Sequence, residues 1–470
     1  MTEQTASTNK TPFFKLLGQA INGDIKDFTT GSIDKAIFLL AVPMVLEMVL
    51  EASFAIADIF FVNKIGSEAA STVGLTEAAL SILYSVAWGL AMGLMALVAR
   101  RTGEKNFTAA SEVAAHGIVL AIAFSILISL AGIFFSKEIL SLMGGSPKLV
   151  NDHYRFTQVM LTGNIVIMLL FVNNAIFRGA GDAAIAMRAL IIANSINIVL
   201  DPLLIFGVGP FPRLGVLGAA VATTTGRLIG VLYQFYHLFK GRDIVKIKLQ
   251  HFVIKFEIIK HILTTSFGGM LQFIIGSCSW IFLARIIAES GESVTAGYVT
   301  AIRICIFTIL PAWGLANAAA TLVGQNLGAG KPERAEKSVW RSAFLTLVFF
   351  AIVSVIFFFF GEFLMKFFTS DAIAVSAGTL CLKSLEVSYV FFAYGMIISQ
   401  AFNGAGDTFT PTIINIFVFW FLQIPLAYFM AKYLKMGPFG VYVAIGIAET
   451  VLAIAAIVIF RKGKWKLVKV

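Results

Sequence analysis

Charged side chains are scarce in this sequence. Only 13% of the 470 residues are Asp, Glu, Lys or Arg, whereas 58% are hydrophobic and the mean hydropathy is +0.88. A soluble domain of this length needs a polar surface around its core, so this composition excludes a soluble globular protein. Repeated apolar runs of about 20 residues are typical of membrane-spanning helices. We therefore expect an all-α polytopic membrane protein.

Residues that commonly build catalytic and metal centres are also few. Cys278, Cys305 and Cys381 lie within or beside apolar runs with no paired spacing, which predicts neither a disulfide nor a metal site. The five histidines lie mostly at the ends of apolar runs, and there is no nucleophile elbow or phosphate loop. These absences disfavour a membrane enzyme, and we expect no metal and no cofactor. A signal-peptide core is also missing, so the first span is expected to direct insertion.

The net charge of +10 does not indicate a nucleic-acid partner, because the basic residues cluster at the ends of apolar runs. They precede the first run, follow the second (Arg100, Arg101), and recur in the central link and the C-terminal tail. Lys and Arg favour the cytoplasmic side of a membrane. We expect a monomeric, multi-pass plasma-membrane protein with both termini in the cytoplasm, whose partners are the lipid bilayer and a small molecule.

Twelve apolar runs are long enough to span a membrane. The polar stretch between the sixth and seventh runs divides the chain into an N-terminal segment (1–35), an N-lobe (36–239), a link (240–259), a C-lobe (260–460) and a tail (461–470). The runs lie near residues 36–62, 72–98, 111–135, 155–176, 184–208, 215–239, 260–288, 295–324, 338–365, 377–402, 409–432 and 440–460.

The two halves are a repeat with a separation of 225 residues. Trp88 and Trp313 lie in identical Ala-Trp-Gly-Leu-Ala segments, and Phe-Arg-Gly-Ala-Gly-Asp (177–182) matches Phe-Asn-Gly-Ala-Gly-Asp (402–407). Because each half has an even number of spans, the repeats have the same orientation in the membrane. We predict two six-helix lobes related by a pseudo-two-fold axis along the membrane normal.

Three carboxylates lie inside the first apolar run. At about 100° per residue, Glu51 is roughly 40° from Glu47 and Asp58 about 20° from Glu47, so all three share one helix face. A charge at mid-membrane costs about 2.5–3.5 kcal/mol on the insertion scale. This face is therefore expected to meet protein or water rather than lipid.

Intramembrane carboxylates differ between the halves. Asn197 and Asp201 are four residues apart in the fifth run and so share a helix face. At the repeat separation, Asp58, Asn197 and Asp201 correspond to Leu283, Leu422 and Leu426. Positions that are polar in one half only are candidates for function, whereas shared positions favour a scaffold role.

Other intramembrane polar residues are more ambiguous. Glu47 and Glu51 either line a cavity, bind a cationic substrate or face polar neighbours. Gln272 and Trp280 are compatible with the lining of a substrate cavity. We expect four further charged residues to lie near span ends or in contacts between the lobes: Arg285, Arg303, Glu386 and Glu449.

The sequence resembles the multidrug and toxic compound extrusion (MATE) transporters over nearly the whole chain after about residue 25. The residues that carry the resemblance are Ala-Ile-Ala-Asp-Ile-Phe-Phe-Val-Asn-Lys-Ile-Gly (55–66), Asn-Ile-Val-Leu-Asp-Pro (197–202), Leu-Gly-Ala-Ala-Val-Ala-Thr (217–223), Val-Gly-Gln-Asn-Leu-Gly-Ala-Gly (323–330) and the two Gly-Ala-Gly-Asp motifs.

The resemblance implies a cation site in the N-lobe formed by Asp58, Asn197, Asp201 and Thr223, with Asn174 as a neighbour. Some members use acids on spans seven and ten instead. Here the span-seven stretch 272–280 contains no acid, and span ten has Phe391 and Phe392 near the expected place, which argues against a cation site in the C-lobe.

The implied function is multidrug efflux by alternating access, in antiport with H⁺ or Na⁺. The expected substrates are bulky, amphipathic and often cationic. The alternative is a flippase for lipid-linked oligosaccharides, which needs a basic groove for pyrophosphate and is disfavoured by the acidic first span. A channel is disfavoured because the charged positions lie in one lobe rather than on the central axis.

Overall fold

A computed structural model describes residues 12–23, 27–240 and 244–468. Parts of the predicted N-terminal segment, link and tail therefore lie outside the described residues. Within those ranges the chain is helical, and twelve helices are long and apolar enough to cross a membrane. Spans 1 to 12 are Ile33–Asn63, Ser67–Gly103, Phe107–Leu142, Pro147–Ala180, Ala183–Phe206, Val216–Lys240, Phe256–Ala288, Glu292–Gly328, Pro332–Phe368, Ala372–Ala405, Phe409–Tyr433 and Pro438–Arg461.

Several helices extend beyond their apolar runs because capping residues set their ends. Span 1 begins at Ile33, where the Ser32 side chain accepts a hydrogen bond from the Lys35 amide. Spans 4 and 10 end at Gly181 and Gly406, which have φ angles of 85° and 89°. Glycine adopts this left-handed conformation without the steric cost of a Cβ. These two ends lie in the repeated Gly-Ala-Gly-Asp motifs.

Three details were not predicted. A short amphipathic helix, Phe13–Asn22, lies in the N-terminal segment before span 1. Span 4 consists of two helices, Pro147–Thr162 and Asn164–Ala180, separated at Gly163. Span 11 contains two π-helical stretches on either side of a turn that begins with Pro425. A proline lacks the amide donor of a regular α-helix, which favours such local widening.

The two halves have separate hydrophobic cores. One core is built almost entirely from spans 2 to 6, and the other from spans 7 to 12. A third, smaller cluster joins the first half of span 1 to the N-terminal helix and to Ala318 and Leu322 of span 8. Span 1 thus connects the N-lobe to the C-lobe.

The pseudo-two-fold symmetry is visible in close contacts between the lobes. A Cβ on Gly103 would lie 2.0 Å from the backbone oxygen of Gln325, and one on Gly328 would lie 2.1 Å from that of Arg100. Both members of each contact are related by the repeat separation of 225 residues. Only glycine permits backbones to approach this closely. The predicted arrangement of two symmetric six-helix lobes is confirmed.

Both described chain ends lie on the side where spans 2 and 8 end, which we call the terminal side. The Arg334 guanidinium donates to the carbonyl of Gly31 at 2.8 Å, and Lys466 pairs with Glu336 at 2.6 Å. The Arg100 guanidinium of the N-lobe donates to the Val468 carbonyl of the tail. These contacts join the two lobes at the terminal side.

An aromatic cluster lies between the lobes farther along the same helices. The symmetry-related Trp88 and Trp313 have ring centroids 5.7 Å apart, and Phe273 lies 5.5 Å from Trp88 and 5.7 Å from Trp313. Such offset and edge-on pairs add to the stabilisation from burial. Phe273 and Trp313 also line a cavity in the C-lobe.

Candidate functional site

The N-lobe brings together all four residues predicted to form its cation site. Asn197 donates to an Asp201 carboxylate oxygen and to the Thr223 hydroxyl, each at 3.3 Å. The Thr223 hydroxyl in turn lies 3.3 and 3.4 Å from the two carboxylate oxygens of Asp58. The Asp58 and Asp201 carboxyl groups are themselves neighbours. Spans 1, 5 and 6 therefore meet at one polar cluster.

The backbone of spans 5 and 6 explains why these side chains converge. Asn197 and Asp201 lie on one face of span 5, one helical turn apart. A Cβ on Gly226 would lie 2.6 Å from the Ala193 carbonyl oxygen, so span 6 approaches span 5 closely beside Thr223. Pro202 removes one helical amide donor next to Asp201. Close packing and a local break thus surround the cluster.

The cluster is rich in oxygen and poor in donors. Asn197, Asp201 and Thr223 are buried, and the Asn197 Oδ1 and Asp201 Oδ2 oxygens have no hydrogen-bond donor among the described residues. Unpaired buried acceptors are costly. Carboxylate, amide and hydroxyl oxygens are the ligands that hard cations such as Na⁺ prefer, and a carboxylate can also hold a proton.

Asn174, the predicted neighbour of this cluster, has a different partner. Its side-chain oxygen accepts a hydrogen bond from the Gln234 amide of span 6. Asn174 also borders a small cavity beside Glu47 and Glu51. No contact with the four-residue cluster is seen for Asn174 within the described part of the chain.

Glu47 and Glu51 are each paired with an arginine. Glu47 is 1% exposed and lies 3.6 Å from the Arg178 guanidinium, which is itself buried. Glu51 is half-buried and lies 3.2 Å from the Arg227 guanidinium, which also stacks on Phe54 at 4.7 Å. Of the readings left open for these two acids, the structure favours polar neighbours.

Sequence reasoning did not identify the arginine partners. Arg227 lies one turn after Thr223 on span 6, so its position on the face of the cluster could have been found from that spacing. Arg178 lies in the Phe-Arg-Gly-Ala-Gly-Asp motif, whose matching position in the second half is Asn403.

Gln272 and Trp280 line a cavity of about 290 Å³ in the C-lobe, as their candidate role requires. Gln272 and Asn403 form two reciprocal side-chain hydrogen bonds of 3.0 and 3.2 Å, and Gln272 also donates to the Thr408 carbonyl. The remaining wall is largely aromatic, and Met92 of span 2 closes it at the lobe interface.

The expected position of Glu449 near a span end was wrong. Glu449 lies about halfway along span 12 and lines the C-lobe cavity. Glu386 also lies inside its helix, span 10, and is 8% exposed. The apolar residues around Glu449 suggested a simple packing helix. Its depth within the predicted span was the signal that could have identified it.

Twelve spans in two pseudo-symmetric lobes, with polar groups buried inside each lobe, define a secondary-transporter architecture. The MatE family model matches residues 43–203 and 266–429, one segment in each lobe. The chain therefore belongs to the MATE family, whose members are membrane transporters and not enzymes.

Individual relatives agree with this assignment. The chain is 29% identical over 436 residues to the probable multidrug resistance protein NorM of Thermotoga maritima, covering 92% of this chain and 93% of that protein. It is 26% identical over 429 residues to an FAD transporter of Shewanella oneidensis, covering 90% and 93%. A crystal structure of MATE in complex with MaL6 matches with a TM-score of 0.87 at 29% identity, covering 96% and 99%.

Proposed function

We propose that this protein is a multidrug efflux transporter that exchanges amphipathic, often cationic compounds for H⁺ or Na⁺. The N-lobe cluster of Asp58, Asn197, Asp201 and Thr223 carries the coupling part of the proposal. The name of the Thermotoga maritima relative supports multidrug compounds as the substrate class.

Two neighbouring carboxylates explain how a cation is coupled to a change of shape. Asp58 lies on span 1 and Asp201 on span 5, so charge on both side chains pushes the two helices apart. A proton or Na⁺ at the cluster removes this repulsion. Because span 1 also packs against span 8, its displacement alters the contact between the lobes. A ligand that favours one of two arrangements in this way shifts the equilibrium between them.

The driving force is sufficient for concentrative export. One elementary charge moving through about 100 mV yields roughly 2.3 kcal/mol. Moving a neutral compound against a tenfold gradient costs about 1.4 kcal/mol. One cation per substrate therefore supports somewhat more than one decade of accumulation.

The buried charges favour a cationic substrate over two anionic alternatives. A flippase for lipid-linked oligosaccharides needs free basic groups for pyrophosphate, but Arg178 and Arg227 are each paired with a glutamate. An anionic dinucleotide, as the name of the Shewanella oneidensis relative suggests for that protein, would meet a cavity that contains a carboxylate and no Lys or Arg among its lining residues.

The arrangement in the membrane is part of the same proposal. The terminal side carries the clustered basic residues, and we assign it to the cytoplasm on that ground. The protein acts as a monomer in the plasma membrane, with one coupling site and one substrate cavity in each chain.

Proteoliposomes with separately imposed proton and Na⁺ gradients test the coupling. Asp58→Asn and Asp201→Asn should each lower gradient-dependent ethidium transport about tenfold or more, within the usual range of coupling energies. Asp152→Asn, an exposed aspartate in span 4 of the same lobe, is the matched control and should transport like wild type. If both cluster variants match wild type under either gradient, the N-lobe is not the coupling site.

A further inference from the structure

The C-lobe cavity contains one carboxylate, Glu449, on span 12. Among the residues that the structure describes, no hydrogen bond or ion pair joins the Glu449 side chain to a protein group. The two glutamates of span 1, in contrast, both have arginine partners. An ionisable side chain halfway through the membrane is costly to keep, which makes an unpaired one a candidate for ligand binding.

The other polar groups of the cavity do not neutralise Glu449. Gln272 donates to Asn403 and to the Thr408 carbonyl, and Asn403 donates to Gln272 and Gln400 at 3.2 Å each. The donors of these two amides are therefore used within spans 7, 10 and 11. The carboxylate of Glu449 remains available to a group that enters the cavity.

The walls opposite this carboxylate are aromatic. Phe273, Trp280, Trp313 and Phe419 line the cavity, and Trp280 is 41% exposed. Aromatic faces attract cations, and they do so more strongly where water is excluded. A carboxylate next to several aromatic rings recognises an organic ammonium or phosphonium group with apolar substituents.

The repeat places Glu449 in the second half alone. Its counterpart at the separation of 225 residues is Thr224, whereas Asp58 and Asp201 correspond to Leu283 and Leu426. Each lobe thus has intramembrane acids that its partner lacks at the matching positions. The N-lobe acids lie with oxygen ligands suited to a small cation, and Glu449 lies with aromatic rings suited to a large one.

We propose that Glu449 binds the positive charge of an organic cation in the C-lobe cavity, with Trp280, Trp313 and Phe273 against its apolar groups. This inference rests on the proposed efflux function and adds the substrate-binding group to it. The cavity of about 290 Å³ lies at the lower end of the size range of small-molecule sites. It extends to Met92 at the lobe interface, from which a larger compound is accessible to both lobes.

Equilibrium binding to the purified full-length protein, without any ion gradient, tests the inference. The probes are tetraphenylphosphonium, a permanent lipophilic cation, and triphenylphosphine oxide, a neutral compound of related shape. Glu449→Gln should weaken tetraphenylphosphonium binding about tenfold or more and change the binding of the neutral probe less than about twofold. Glu449→Asp, which keeps the charge, should recover most of the lost affinity.

Glu386→Gln is the control, because Glu386 is an acid of the same lobe that does not line the cavity. The inference is overturned if Glu449→Gln binds the cation like wild type, if both probes lose affinity equally, or if wild type binds no tetraphenylphosphonium. It is also overturned if only Asp58→Asn weakens the cation. None of these results depends on ion-driven transport, so a failure here is distinguishable from a failure of N-lobe coupling.

Discussion

The N-lobe and the C-lobe solve one structural problem in two ways. Glu47 of span 1 pairs with Arg178 of span 4 in the N-lobe, and the matching residues of the C-lobe, Gln272 and Asn403, form a reciprocal amide pair. The helices meet at equivalent places, but one contact is ionic and the other neutral. The fold therefore does not require charge at this position.

The difference has a cost that only the N-lobe bears. The Glu47 Oε2 oxygen and the Arg178 Nε and Nη1 nitrogens lack hydrogen-bond partners among the described residues. A buried ion pair whose remaining polar atoms are not satisfied is weak evidence for stabilisation. Charge in the N-lobe is thus better explained by transport than by folding, and the two lobes provide matched variants to examine this.

Breaking the ionic pair should have the largest effect on stability. Arg178→Asn leaves Glu47 buried without its cationic partner, which typically costs about 3–5 kcal/mol. Glu47→Gln combined with Arg178→Asn reproduces the C-lobe pair and should recover most of this loss. Thermal unfolding in detergent compares wild type with both variants. If the double variant is as unstable as the single one, the two contacts are not equivalent.

Substitutions at the close glycine contacts should have an intermediate effect that is equal in the two lobes. Gly103→Ala and Gly328→Ala each place a Cβ against a backbone oxygen of the opposite lobe, and overpacking of this kind costs roughly 1–3 kcal/mol. The terminal side should open, and spin-label distances between spans 2 and 8 would measure this. Gly74→Ala is the control, since its Cβ would meet no atom within 4 Å. Clearly unequal effects at Gly103 and Gly328 would contradict a symmetric scaffold.

Loss of the second ionic pair should be milder. Glu51 is partly exposed, and Arg227 keeps its contact with the Phe54 ring, so Glu51→Gln should destabilise the protein by about 1–2 kcal/mol. The same thermal unfolding assay measures the change. A loss as large as that of Arg178→Asn would show that burial does not distinguish the two pairs.

The smallest effect is expected in the tail. The hydrogen bond with Glu336 raises the pKa of Lys466, so this pair stabilises fully at neutral pH and weakens only as the pH rises through that raised value. Pairs at the surface contribute about 0–1 kcal/mol and are screened by salt. Lys466→Ala should therefore shift the unfolding temperature slightly at low salt and not at high salt. A shift that persists in high salt would point to packing rather than charge.

Much of the fold and the N-lobe cluster could be predicted because simple periodicities specify them. The four-residue spacing of Asn197 and Asp201 and the repeat separation identify the polar face of span 5 without knowledge of packing. Asn174 and Glu51 show the limit of this reasoning. Their partners, Gln234 and Arg227, lie far away in sequence, and only the packing of spans 1, 4 and 6 brings them together.

Glu449 illustrates a different limit. A single carboxylate in an apolar helix has no spacing partner, and the Gln and Asn residues near it in space belong to spans 7 and 10. The cavity exists only once five helices and a methionine of the other lobe are assembled. Sequence periodicity describes the faces of single helices, whereas a cavity depends on the distances between them.

Cation movement that accompanies substrate exchange tests the central claim most directly. In proteoliposomes without a membrane potential, an outward flow of tetraphenylphosphonium should drive inward movement of H⁺ or Na⁺, recorded with an internal pH dye or ²²Na⁺. Wild type and Asp152→Asn should show this movement, and the Asp58→Asn, Asp201→Asn double variant should show none while still exchanging labelled substrate. Undiminished cation movement in the double variant would contradict coupling through the N-lobe cluster.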